Sequence, residues 1–147
     1  MRTVNSKLSI AMHCLIFLYE YGNQTKVTST LLSLSTGCNP VIIRNIMSAL
    51  KKAGIITSPK GPGGAKLAMP PEDISLGAVY SAVDHSGAPA IFGFHTAPSA
   101  HCPVGRNIHA VLEIPYHELE NAVQERMKTL SSQSVLDDYH RIPEEAR

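Results

Sequence analysis

Three cysteines, seven histidines and several clustered hydroxyl and basic side chains are the residues of this chain whose types and spacing can do chemistry. Cys14 stands among Leu15, Ile16 and Phe17 and reads as a buried, inert thiol. Cys38 and Cys102 each precede an expected helix start, where free amides and the positive end of the helix dipole favour a thiolate, so these two are candidates for sensing oxidants. The bland alternative is that all three are small packing residues. His95, His101, Cys102, His109 and His117 follow no ligand spacing, so neither a metal site nor a cofactor is expected. Cys102 with His101 or His109 imitates a nucleophile and its base. Residues adjacent in a chain seldom meet in that geometry, however, and no acidic partner is evident, so an enzyme is not expected. The run Gly61-Pro62-Gly63-Gly64 lacks the lysine and the serine or threonine of a phosphate-binding P-loop.

The second set is suited to a nucleic-acid backbone. Thr28, Ser29 and Thr30 are short donors at an expected helix N-terminus, a natural seat for a phosphate oxygen. Asn39, Pro40, Ile43, Arg44, Ser48 and Lys51 fall on or beside one face of the next helix, and a guanidinium at Arg44 can fork onto guanine. Lys60 and Lys66 flank a tip in which Gly61, Gly63 and Gly64 allow a backbone to approach a duplex closely. Lys51 and Lys52 also suit an ordinary solvated face at a helix C-terminus. The glycine run also suits a plain hairpin turn.

Charge separates these readings. Residues 1–70 hold eight Lys and Arg against one acid, Glu20, a net charge of +7, whereas 71–147 hold five bases and eleven acids, a net charge of −6. A single acid among so many bases points the first half at a polyanion.

The elements that must position these residues follow from periodicity and capping. A first helix is expected over 6–21, with Leu8, Ala11, Met12, Leu15, Ile16, Leu18 and Tyr19 inward and Gly22-Asn23 ending it. Thr28 caps a second helix, Val27 staples onto Leu32, and Gly37 stops it. Asn39-Pro40 opens a third helix with Val41 or Ile42, Ile46, Ala49 and Leu50 inward, closed by Gly54. Strands are expected at 54–58 and 66–69 around the glycine-rich tip. Three helices and a hairpin in this order make a winged helix-turn-helix. Beyond Pro70-Pro71, a helix is expected over 74–83 with Leu76, Val79, Tyr80 and Val83 inward, followed by a loop over 86–98 containing a short strand, Ile91-Phe92-Gly93-Phe94. A long helix from Cys102-Pro103 carries the stripe Ile108, Leu112, Leu119, Val123 and Leu130, which is long for a face serving only its own core and suggests a dimer interface. Pro115 is expected to kink or break it near Ile114. A short last helix over 135–140 and a frayed end from Pro143 complete the chain.

The fold class is therefore mainly α with a small β hairpin. It comprises a winged helix-turn-helix domain over 1–70 and, over 71–147, a linker helix, a sensing loop and a long C-terminal dimerisation helix. At 147 residues with 44% hydrophobic and 17% charged side chains, the chain excludes the collagen-like and charged disordered classes. Three unpaired-looking cysteines fit a reducing cytoplasm. The apolar run 8–19 is too short to cross a bilayer and no small-residue cleavage site follows it, so neither export nor membrane attachment is expected.

The runs from Asn39 to Arg44, Leu50 to Ile56, Gly61 to Ala68, Ile74 to Leu76, Val79 to Val83 and Cys102-Pro103-Val104-Gly105 together resemble the bacterial Rrf-two family of winged-helix transcription regulators. The likeness extends over nearly the whole chain. It implies a homodimer built on the long C-terminal helix, bound to a palindromic operator in double-stranded DNA and acting as a repressor, and some members of the family are thiol switches. Iron-sulfur members carry three cysteines before the dimer helix. Between Ser86 and Arg106 this chain has only Cys102, so no cluster is expected. A winged helix used purely for protein contact is the alternative, since fold alone does not fix function.

Overall fold

A computed structural model describes residues 6–59, 63–85 and 91–147. Helix α1 spans Ser6–Tyr21, α2 Ser29–Thr36 and α3 Pro40–Lys52. Each boundary has a local cause. The Thr28 hydroxyl accepts from the Leu31 amide at 3.2 Å at the start of α2, and Gly37 ends that helix in the left-handed region at φ 71°. The Asn39 Oδ1 accepts from the Val41 amide at 2.8 Å, and Pro40 takes the first turn of α3, where it gives up no bond. Gly54, at φ 76°, turns the chain out of α3 into the hairpin.

The hairpin pairs β1 (Ile56–Thr57) antiparallel with β2 (Lys66–Leu67), with Ile56 opposite Leu67 and Thr57 opposite Lys66. A Cβ added at Gly64 would lie 2.5 Å from the Val27 nitrogen, so glycine there lets the wing seat against the strand-like approach to α2. Gly64 is thus needed for packing.

Helix α4 (Leu76–Val83) is capped by Ser75, whose hydroxyl accepts from the Ala78 amide at 3.0 Å. It is no linker. Ile74, Val79, Ala82 and Val83 enter the same core as Ala11, Leu15 and Leu18 of α1, Leu32 of α2, and Ile43, Ile46 and Leu50 of α3. The charge boundary at Pro70-Pro71 is therefore not a packing boundary. Leu32, Ile43, Leu50, Ile74 and Val79 are almost completely enclosed, and such residues each contribute about 1.5–3 kcal/mol by burial. Tyr19, placed inward from its spacing, is 41% exposed, and Cys14 takes the inner position.

Helix α5 runs unbroken from Pro103 to Thr129, about 40 Å at helical rise, with Pro115 inside it and none of its residues buried. The break at Ile114 does not occur. Gly77 of α4 lets α5 cross closely: a Cβ there would meet the Lys128 nitrogen at 3.2 Å. The chain then returns through α6 (Ser132–His140), tied back by Leu76 N donating to Leu130 O at 2.8 Å and Ser132 N to Ile74 O at 2.7 Å. Leu136 is buried, and His140 meets Glu20 of α1. The lone acid of the basic half thus holds down the last helix. A single turn of 3-10 helix, Glu144–Ala146, ends the chain.

The stretch Ile91–Phe94 is not a strand. It lies on α5, where Glu120 Oε1 accepts from the Ile91 and Phe92 amides at 3.0 and 3.4 Å. Phe92 stacks on Tyr116 at 5.1 Å between ring centroids, and Phe94 meets His109 at 4.9 Å. Alternating aromatics suggested a strand, but with no strand beside it among the described residues, ring contacts determine the conformation.

Candidate nucleic-acid interface

The N-terminus of α2, the exposed flank of α3 and the wing meet in a cleft of about 340 Å³. Lys26, Thr28 and Ser29 form one wall, Arg44 and Met47 another, and Ser58, Pro59, Gly63 and Gly64 the third. No carboxylate among the described residues lines it. Among the described residues, no ion pair involves Lys26, Arg44, Lys51, Lys52 or Lys66. Of these, Lys26 and Arg44 line the cleft and leave it electropositive, and α2 adds its free amides and dipole.

The expected contact residues fall into four groups. Ser29, Arg44, Gly63 and Gly64 line the cleft, as does Thr28, whose oxygen also serves as the cap of α2. Thr30, Asn39, Pro40, Ser48 and Lys51 are exposed nearby in sequence, on α2 or α3, with the Asn39 carbonyl engaged in its own cap. Ile43 and Lys66 are placed elsewhere. Ile43 is 0% exposed and belongs to the core, while Val41 and Ile42, of which one or the other is expected inward from its spacing, are 52% and 45% exposed. Both errors have one cause. The buried positions 43, 46 and 50 form a 3-and-4 series that starts one residue later than the apolar run Val41-Ile42-Ile43 suggests. Lys66 points to the other side of the wing, into a cleft of about 460 Å³ with Glu20, Gln24 and His140. Lys60 and Gly61 lie outside the described residues. Lys26 and Met47 escaped the sequence reading because neither sits in a recognisable motif; only the wing's return brings them to the cleft.

The cysteines differ sharply. Cys14 is fully buried, and that burial, with the Cys38 thiol nearby, pushes its pKa up to about 12. Cys102 is exposed at the start of α5, where the amides of Gly105 and Val104 hold its thiol below the ordinary value. Cys38 is half-buried in the turn between α2 and α3, its Sγ 3.8 Å from the Thr36 carbonyl.

A helix pair joined by a tight turn, a third helix beneath it and a β hairpin at its side define the class: a winged helix-turn-helix regulator. The profile of the Rrf2 family, described as iron-dependent transcriptional regulators, matches residues 4–138, and the chain belongs to this family. It is 34% identical over 134 residues to YwnA of Bacillus subtilis (strain 168), named among the HTH-type transcriptional regulators, spanning 91% of this chain and 97% of that protein. It is also 32% identical over 84 residues to the HTH-type transcriptional regulator IscR of Aliivibrio salmonicida, 56% of this chain and 45% of that one. Among solved structures, CymR, the global cysteine regulator of B. subtilis, superposes with a TM-score of 0.65 at 16% identity, covering 93% of this chain and 98% of CymR, which supports the fold alone. The iron named in the family description finds no fitting donors: among the described residues, no three His, Cys, Asp or Glu side chains converge. The transcriptional regulators of this family are not enzymes. No helix among the described residues is long and apolar enough to cross a membrane.

Proposed function

We propose that this regulator is a repressor that binds a palindromic operator in double-stranded DNA as a homodimer. The carrying observation is the acid-free cleft uniting the α2 N-terminus, Arg44 and the wing. In this reading α3 enters the major groove, where Arg44 and Ser48 reach base edges, while Thr28, Ser29, Thr30, Lys51 and the wing tip with Lys60 take phosphates. A dimer sets two such helices about one DNA turn, roughly 34 Å, apart. Its supporting observation is the outward face of α5, on which Val111 is 60%, Leu119 50% and Val123 38% exposed. Ile108, Leu112 and Leu130 are half-buried beside it.

The repressor also responds to thiol oxidation. Cys102 is the exposed, activated thiol. Peroxide converts its thiolate to a sulfenic acid with release of hydroxide, and condensation with the thiol of a partner's Cys38 expels water to form a disulfide. That link would fix the spacing of the reading helices.

Selecting bound fragments from genomic DNA, before and after mild peroxide, tests both levels. One shared palindrome that is lost or gained on oxidation is the expected result. Fragments without a common sequence would remove the specific reading. A selection unchanged by peroxide, with no crosslink on a non-reducing gel, would remove the thiol response. Placing the selected site upstream of a reporter separates repression from activation.

A further inference from the structure

The three apolar residues that open α3 have different surroundings. Ile43 is enclosed in the core, whereas Val41 and Ile42 are exposed. Ile42 leans into a small cleft beside Ala49 of α3 and Val83 of α4. Val41 lies in the first turn of α3, and steps of three, four and seven residues put it on one stripe with Arg44, Asn45 and Ser48, all exposed. That stripe points away from the buried Ile43, Ile46 and Leu50. The Val41 amide is held by the Asn39 cap at 2.8 Å, and a β-branched side chain in a helix keeps essentially one rotamer, so its methyls are fixed at the head of the stripe. Arg44, on the same stripe, lines the cleft with Lys26 and the wing, so the stripe continues the face assigned to DNA.

The first turn of a recognition helix meets base edges in the major groove. Most of what those edges offer is N–H, nitrogen or oxygen, which valine would strip of water without replacing; the exception is the C5-methyl of thymine. We infer that Val41 is a specificity-determining residue that reads thymine, packing its methyls on one thymine C5-methyl in each half-site. On a helix, Cβ atoms three residues apart are separated by about 5–6 Å, and base pairs rise about 3.4 Å, so this thymine falls within about two base pairs of the guanine at Arg44. The contact rests on the DNA-binding reading and adds to it a base that neither charge nor hydrogen bonding specifies.

The test is a uracil scan of an operator selected from genomic DNA, with affinity of the full-length protein read by fluorescence anisotropy. Each thymine is replaced in turn by uracil in both half-sites, which deletes one methyl and leaves every pairing group in place. At one thymine, within about two base pairs of the guanine that Arg44→Ala no longer distinguishes, wild type should lose about fourfold per half-site and about fifteenfold in all. Val41→Ala should bind the thymine and uracil duplexes within about twofold of each other, and Val41→Ile should restore the preference. Val41 is exposed, so these variants leave the core intact, and the salt slope should stay at the wild-type value because valine displaces no counterion. A selected site without thymine at that distance, a flat scan, or a uracil loss that Val41→Ala retains in full would overturn the contact and leave DNA binding standing. A flat scan together with weaker self-association of Val41→Ala in sedimentation would make Val41 a protein contact instead. Protein that binds no duplex at all would overturn the DNA-binding reading, and this contact with it.

Discussion

Helices α1 to α4 and helix α5 carry apolar residues at similar helical spacings, yet the first group completes a core and α5 does not. In the winged body, Ile43, Leu50 and Val79 are 0% exposed, whereas no residue of the 27-residue α5 is buried. Large apolar side chains left outward in a row, Val104, Val111, Leu119 and Val123, differ from the scattered exposed residues any surface carries. The body is finished by its own chain, whereas α5 leaves an apolar row outward. The polar surfaces contrast as well: Lys26 and Arg44 of the body face a cleft whose described lining holds no acid, while the exposed face of α5 and α6 pairs its charges locally, Lys128 with Glu125 and Arg141 with Asp138.

The sharpest way to break this contrast is to charge α5. Leu112→Glu with Leu119→Glu should abolish the dimer in sedimentation at micromolar concentration and cost operator affinity at least about a hundredfold, while the helical spectrum stays near wild type. A dimer that survives would show that the stripe is not the interface. Within the body, Ile43→Ala should lower unfolding stability by about 2–5 kcal/mol in a denaturant titration, because it leaves a cavity among residues that cannot collapse around it. One residue further along, Arg44→Ala should leave stability within about 0.5 kcal/mol and cost about 1–3 kcal/mol on the specific site. If the two variants exchange effects, the orientation of α3 is wrong. Thr28→Ala is a smaller perturbation of about 1 kcal/mol in stability through loss of the α2 cap.

The cysteines refine the same comparison without altering fold. Iodoacetamide at pH 7 should label Cys102 first and Cys14 last, as mass spectrometry of timed samples will show. Burial raises the Cys14 pKa, so its contribution to stability is complete below the unfolded value of 9.0 and is lost as pH rises towards about 12. Cys14→Ala should flatten that alkaline slope; an unchanged slope would assign it to another group.

Much of this was legible in residue types because capping is local. Thr28, Asn39-Pro40, Gly37 and Gly54 each act within one turn, and the helix bounds follow from them. Where several phases satisfy one apolar run, local rules fail, and Val41-Ile42-Ile43 resolves only when α1 and α4 are present to receive Ile43. Features that depend on distant segments carried no signal: the rings of Phe92 and Phe94 on α5, the clasp of Glu20 on His140, and the close seat of Gly64 on Val27. Pro115 was legible as a perturbation but not as a tolerated one. Exposed on a long helix, it loses one backbone bond where water can replace it. The cleft was half legible, since its hydroxyls and Arg44 lie in the motif helices, while Lys26 and Met47 are recruited by the wing.

The central claim is that the acid-free face of the winged body holds DNA, two bodies to a site. Fluorescence anisotropy of the full-length protein on a labelled duplex, repeated from about 50 to 200 mM salt, tests it most directly. With about six to ten phosphates neutralised by the two bodies, the logarithm of the association constant should fall against log salt with a slope of about −5 to −9. A slope near zero would contradict the account.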